Sequence, residues 1–382
     1  PAGATAATAL ARRGHAVVLI DREAFPREKL CGDFVSPALW PLFRILNVDR
    51  EILAAAHEKV RSARFTSHAG SEVSVPISRL EAKAPFGLGI RRSTLDHLLL
   101  RAAVRSGARV LEKSSLKDLE REPRGWRLQV ERGKSADTLR AEVLIGADGR
   151  NSRVARRLGL DRAAALTDPA VGLQFRLANF SGSPGTVEIH VFPGGYAGVI
   201  QLGDGTANLC LSVARERLRG QPLADTLPRL ELTRNPFLER LLRGAEVVRG
   251  VRSVYPVYFP PRRSYGERVL LAGDASRAWE PVTGEGVYFA AASGWLAAKT
   301  VHDAFSKGDF SAARFSDYER ECARAFGRRQ KLNRLIRYLV WRPRLLHFLI
   351  RYSSMSSRAL GSLVDSVCSP DGARFSVPAA PT

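Results

Sequence analysis

The segment 268–291 carries Gly273-Asp274, then Pro281, then Gly284-Glu285-Gly286 where an apolar helix begins. A strand over 269–272 that runs into a glycine turn and a helix N-terminus aims free backbone N–H groups and the positive helix end at one point, which suits an anion. A second turn of this kind lies in 141–153. There a strand over 143–145 meets Gly146-Ala147-Asp148-Gly149, with Arg150, Ser152 and Arg153 at the following helix start. The chain also opens with Gly3 and Ala4 in an alanine-rich helix running to Arg13. It turns at Gly14-His15 and enters a strand over 16–20 that ends at Asp21 and Arg22. An acid closing the second strand of a βαβ unit, about twenty residues after a glycine turn, suits two ribose hydroxyls. Ordinary loop geometry explains any one of these turns. The three together point to one elongated dinucleotide.

Gly3 takes the place of the third glycine in G-x-G-x-x-G, and the first strand and first two glycines do not precede it. The chain therefore reads as a fragment or a misplaced start, with an apolar strand ending in Gly-x-Gly expected upstream of Pro1.

The three turns resemble the FAD fingerprints of the p-hydroxybenzoate-hydroxylase-like flavoproteins. That superfamily includes aromatic and polyketide monooxygenases, geranylgeranyl reductases and flavin halogenases. Phe25-Pro26-Arg27-Glu28-Lys29-Leu30-Cys31-Gly32-Asp33 and Arg92-Ser93-Thr94-Leu95-Asp96 resemble its reductase and halogenase side. The resemblance covers roughly residues 1–300 and is specific to the superfamily rather than to one reaction.

The resemblance implies an α/β fold with an α+β second domain. A Rossmann-like FAD-binding domain with a central parallel sheet, its first strand missing, would occupy 1–60, 90–165 and 262–330. An antiparallel-sheet substrate domain would occupy 61–89 and 166–261, followed by C-terminal helices over 331–368 and a disordered tail over 369–382. The cofactor implied is FAD, with NAD(P)H or a reduced electron carrier as transient reductant. Its contacts would come from Gly3, Ala4, Asp21, Arg22, Arg27, Cys31, Gly32, Arg92, Asp148, Gly149, Gly273, Asp274, Pro281, Gly284, Glu285 and Gly286. Asp274 would meet the ribityl or pyrophosphate region, and the N–H groups near 284–286 would favour negative charge on the reduced ring. A helix-terminus interaction of that kind is worth roughly 0.3–1 kcal/mol, and up to about 2 where partly buried. Arg27 and Lys29 either meet phosphate or are solvated loop charges. Cys31 has no histidine near in sequence to lower its pKa and is not assigned as a nucleophile.

The positioning elements follow from periodicity and punctuation. Leu95, Leu98, Leu99 and Ala102 recur at helical spacing up to Gly107. Segment 37–57 reads as helices and 61–77 as strand–turn–strand about His68-Ala69-Gly70. Segment 171–213 alternates strands with glycine turns, giving an antiparallel sheet. Gly203-Asp204-Gly205 is a hairpin turn with no helix after it, so a second dinucleotide site is not expected. Residues 215–243 read as helical, as do 286–305 and about 316–338.

At 382 residues and 45% hydrophobic content, the chain can bury a large core in two or three domains. No apolar run is long enough to span a bilayer. Cys31, Cys210, Cys322 and Cys368 are scattered, with no C-x-x-C, and the histidines lack metal-ligand spacing. The reading is a cytoplasmic enzyme with reduced thiols and no metal. The net charge of +21 is spread along the chain, and no nucleic-acid motif accompanies it.

No acid–base residue is assignable as catalytic. His190, Tyr196 and Asn208 are the polar candidates for touching substrate, although each also suits a plain sheet position. The stretch around them distantly resembles the Y-x-W-x-F-P…G-x-G segment of geranylgeranyl reductases, with Gly198 in place of the tryptophan and Ile200-Gln201 in place of Phe-Pro. That departure favours an FAD-dependent monooxygenase hydroxylating or oxidising a small apolar or aromatic, polyketide-like metabolite. The Cys31 loop and the basic apolar tail favour the alternative, a geranylgeranyl-reductase-like enzyme at a membrane. A non-catalytic flavin-fold protein is the third reading. In the tail, arginines from Arg328 to Arg351 alternate with Leu332, Leu335, Leu339, Leu345 and their neighbours. The preferred reading is a helix covering the flavin domain; the other is peripheral contact with an anionic membrane.

Overall fold

The computed structural model describes residues 1–77, 86–161, 170–218, 234–352 and 356–368. Alanine has the highest helix propensity, and the run at the N-terminus forms helix Ala2–Ala11. The chain turns at Gly14, whose φ of +81° needs glycine, into strand Val18–Ile20. That strand pairs in parallel with Arg109–Leu111. Leu144–Gly146 pairs in parallel with Val269–Leu271, and the register sets Gly146 beside Leu271. The turns at 147–149 and 272–274 therefore leave their strands side by side.

Small residues let the opening helix lie almost on the backbone of helix Gly286–Lys307. A Cβ built on Gly294 would stand 2.2 Å from the carbonyl oxygen of Ala2. That neighbour is backbone and cannot swing aside, so Gly294→Ala must push the two helices apart. We expect it to cost about 3 kcal/mol or more in unfolding free energy, beyond a simple overpacked methyl, read from the denaturant midpoint.

A seven-stranded sheet forms the other layer, in the order Glu246–Val254, Ala170–Ala178, Ala207–Ala214, Gly195–Gln201, Thr186–Phe192, Ser62–Thr66, Glu72–Pro76. Its core is built from Leu173, Phe175, Phe192, Val199, Leu209 and Leu211. The expected antiparallel pattern holds except where Thr186–Phe192 runs parallel to Ser62–Thr66. Strand 62–66 arrives from a distant part of the chain, so no hairpin turn dictates its direction.

Element ends differ from the expected ones. The helix expected from 95 begins at Arg92. The helix expected over 316–338 is Ala312–Val340, because Ser311 caps it by accepting from the Arg314 N–H. In 215–243 the described residues give a 3₁₀ turn, Arg215–Leu218, and helix Pro236–Leu242, capped by Asn235. The rest of that expected helix and the expected tail over 369–382 lie outside the described residues. Among the described residues no helix is long and apolar enough to cross a membrane.

Candidate functional site

One cavity of about 270 Å³ runs between the glycine turns and the large sheet. At one end it is lined by Ala2, Arg27, Lys29, Cys31, Gly32, Arg92, Ala147, Gly149, Arg150, Gly273 and Asp274. Pro281, Gly284 and Gly286 also line it. Ala63, Phe65, Ile77, Val187, Ile189, Ile200, Leu339 and Val364 make an apolar far end.

The polar end is a chain of ion pairs. Arg92 donates twice to Asp96, at 2.8 and 2.7 Å. Arg27 donates to the same carboxylate at 3.1 Å and to Asp21 at 3.4 Å. Asp274 stands 3.3 Å from Arg150 and 3.8 Å from Lys29. Burial opposes charge on Asp96 and on Asp274. Arg92 overrides it at Asp96, and Lys29 with Arg150 overrides it at Asp274, so both carboxyls sit below their usual range. Burial lowers the Lys29 ammonium, with Asp274 opposing. The net character is cationic, as a pyrophosphate requires.

The loop that carries Cys31 is clamped from the sheet. Its carbonyl accepts from Gln174 Nε2 at 2.9 Å, Asn208 Nδ2 at 2.9 Å and Cys210 Sγ at 3.1 Å. Asp33 follows, with its carboxylate 2.9 Å from buried Arg176. Burial pushes the Asp33 carboxyl up to about 6, against the pull of Arg176.

The structure gathers some of the sequence-predicted residues and parts others from the cavity. Arg27, Cys31, Gly32, Arg92, Gly149, Gly273, Asp274, Pro281, Gly284 and Gly286 line it. Gly3 and Ala4 do not. Gly3 instead makes the close packing beneath it: a Cβ there would lie 3.2 Å from Leu19 and 3.3 Å from Ala147. Asp21 does not line the cavity and pairs with Arg27, which does. Asp148 is spent on the start of helix Arg153–Arg157, accepting from Ser152 Oγ and from the N–H groups of Arg153 and Val154. Arg22 is exposed beside Glu23. Glu285 turns away from the cavity to a buried pair with Arg329. Burial raises its carboxyl to about 7 despite that pair.

The three substrate candidates also divide. Tyr196 lines the cavity, and its hydroxyl donates to Glu280. His190 does not reach it. Strand alternation sends Ile189 to the cavity and His190 to the other face, against Thr66 at 2.8 Å. Burial lowers the His190 imidazole to about 3, so it stays neutral. Asn208 is a clamp on Cys31 rather than a lining residue.

Sequence reasoning missed Glu280, which is fully buried and held by Tyr196, Arg337 and the Asn333 amide network. It also missed that Ile336, Leu339, Val340, Leu346, Val364 and Val367 of the tail wall the cavity. The apolar spacing 332, 336, 339, 340 was a readable signal of a buried helical face.

The residues present fit an FAD. Gly32 and Gly286 line the cavity, and a Cβ on either would meet no protein atom within 4 Å, so bare backbone faces the space where a flat ring system would lie. Helix Gly286–Lys307 starts without a side-chain cap, leaving first-turn N–H groups free beside the cavity.

Comparisons with known proteins agree. A family model described as an FAD binding domain matches residues 1–192. The digeranylgeranylglycerophospholipid reductase of Methanothrix thermoacetophila is 32% identical over 336 residues, covering 86% of this chain and 82% of that protein. The solved structure of the flavin-dependent halogenase CmlS superposes with a TM-score of 0.78 at 25% identity, over 87% of this chain and 61% of that one. A geranylgeranyl bacteriochlorophyll reductase-like protein from Thermoplasma acidophilum gives a TM-score of 0.72 at 23% identity, over 99% of this chain and 91% of that one. The chain thus belongs to the FAD-binding-domain family and is an FAD-dependent oxidoreductase. Within the p-hydroxybenzoate-hydroxylase-like superfamily it stands on the geranylgeranyl-reductase and flavin-monooxygenase branch.

Proposed function

We propose that this enzyme saturates double bonds in the isoprenoid chain of a lipid, drawing electrons from NAD(P)H or a reduced electron carrier through FAD. The observation that carries this reading is the far end of the cavity, where Ala63, Ile77, Val187, Ile189, Ile200 and Val364 offer nothing but hydrocarbon. A polyprenyl chain gains from burial there at roughly 25 cal/mol per Å². The names of the sequence relatives support a reductase over the hydroxylating reading that Gly198 and Ile200-Gln201 favour.

In this proposal Arg27, Lys29, Arg92, Arg150 and Asp274 hold the pyrophosphate and ribityl stretch, and Gly32, Gly284 and Gly286 accept the ring by backbone. Bound FAD supplies the hydride chemistry. Gln174, Asn208 and Cys210 fix the Cys31 loop over that position, and the aliphatic wall excludes water. Tyr196, bonded to Glu280, brings a hydroxyl to the cavity lining. Burial raises its pKa well above the usual value, with Glu280 adding to the effect, so it stays protonated.

The test is anaerobic turnover of a digeranylgeranyl glycerophospholipid with reduced enzyme, followed by mass spectrometry. The expected product gains a pair of hydrogens for each double bond lost. A product formed only after oxygen is admitted, and carrying an added oxygen atom, overturns the reductase reading and returns the hydroxylating one.

A further inference from the structure

Between Glu321 and Asp365 every charged residue is Lys or Arg. This acid-free stretch builds the second half of helix Ala312–Val340 and all of helix Pro343–Arg351. The shorter helix is sharply two-sided. Leu346 and Ile350 are buried, while Leu345, Phe348 and Leu349 face outward. Phe348 is 56% exposed and Tyr352 is 64% exposed, and their rings pack against each other at 4.6 Å. Tyr338 is exposed in the preceding helix, with the Arg342 guanidinium 3.6 Å above its ring. Among the described residues, Arg334, Arg342, Arg344 and Arg351 meet no acid. Large exposed apolar groups ringed by unpaired cations are the composition of an interfacial helix rather than of a solvated face.

The opposite side of the same two helices is the cavity wall, through Ile336, Leu339, Val340 and Leu346. The exposed basic and aromatic face and the cavity are thus separated by one layer of helix. We propose that helix Pro343–Arg351, with the exposed side of 334–342, docks this enzyme on an anionic bilayer: Leu345, Phe348, Leu349 and Tyr352 enter the headgroup boundary, and Arg334, Arg342, Arg344 and Arg351 meet lipid phosphates. The occupant is a bilayer because both features it needs are present on one face, a basic rim and protruding rings. A second copy of this strongly cationic chain would bring the same arginines against each other. The proposal rests on the isoprenoid-lipid reading for its purpose, but its test does not.

The experiment is flotation of the FAD-loaded full chain with vesicles of phosphatidylcholine alone and with added phosphatidylglycerol. Binding to the anionic vesicles, weakened by salt and small on the neutral ones, is expected. Arg344→Glu with Arg351→Glu should weaken it by about tenfold or more, given about 1 kcal/mol for each cation near the surface. Phe348→Ser with Tyr352→Ser should remove it at high salt. Both variants should keep flavin absorbance and keep turnover of substrate dispersed in detergent, which separates loss of docking from loss of fold. Equal flotation of wild type and both variants overturns the proposal. So does a dimer in solution that Phe348→Ser breaks apart. Loss of detergent turnover in the wild type would sink the isoprenoid reading and leave the docking result standing.

Discussion

Arg92→Met should strip the flavin and destabilise the protein by about 3 kcal/mol. Both effects come from one guanidinium that faces two ways. Arg92 lines the cavity, and it also donates twice to Asp96, which is 2% exposed. Breaking a buried pair by removing one partner costs roughly 3–5 kcal/mol, since the other charge stays buried. The low end is expected here, because Arg27 remains 3.1 Å from Asp96. The deficit should also depend on pH. In the wild type the Asp96 carboxyl is held below its ordinary value of 3.8, so its contribution is full above that value and is lost as pH falls further. In the variant burial dominates and raises the folded-state value. The gap between the two proteins is therefore widest near neutral pH and narrows in acid. Urea titrations at several pH values measure it. Adding Asp96→Leu removes the stranded charge and should recover most of the stability while flavin absorbance stays low. Recovery of flavin in the double variant would mean that Arg92 serves the fold alone.

The split role of Arg92 marks how far the sequence could be read. Backbone features were legible because few residues do them. Gly284 has a φ of +65°, and glycine there, with Gly286 opening a helix, was visible as a turn and a helix start. The parallel strands and the hairpins followed from apolar runs broken by Gly14, Gly194 and Gly203. Side-chain direction was less legible. Asp148 follows a strand much as Asp274 does, yet one caps its own helix and the other faces the cavity. The choice depends on the Ser152 hydroxyl four residues on and the N–H groups five and six residues on, local bonds that compete with any ligand. His190 illustrates a one-residue register problem, since a strand's face is fixed by its neighbours and not by its own composition. The tail was hardest. Its helices are amphipathic, but sequence does not say that the buried face closes over a cavity rather than a core.

On the proposed isoprenoid-lipid reading, Gly198→Trp should narrow the cavity and favour a single chain over a two-chain lipid. Gly198 stands in the strand Gly195–Gln201, paired across to Ile189 and Cys210. A Cβ there has as its nearest neighbour Ile189 Cδ1 at 3.7 Å, an ordinary contact, so the protein itself admits a side chain. The added indole then projects into the space that substrate would use. Overpacking typically costs roughly 1–3 kcal/mol, which is about 5- to 150-fold in kcat/KM for a substrate that must fill that volume. A digeranylgeranyl glycerophospholipid should lose activity within that range, while a single geranylgeranyl chain should lose little. Flavin absorbance should move little, because Gly198 is no member of the ion-pair chain; its strand partner Cys210 belongs to the Cys31 clamp, so the melting temperature is the control for any disturbance there. Steady-state kinetics on the two substrates gives the ratio directly. If both fall together, the obstruction lies on the path every substrate shares, and the width at residue 198 does not set selectivity. If neither falls, the chain passes along another wall, and the aliphatic end near Ile77 and Val364 is not where substrate lies.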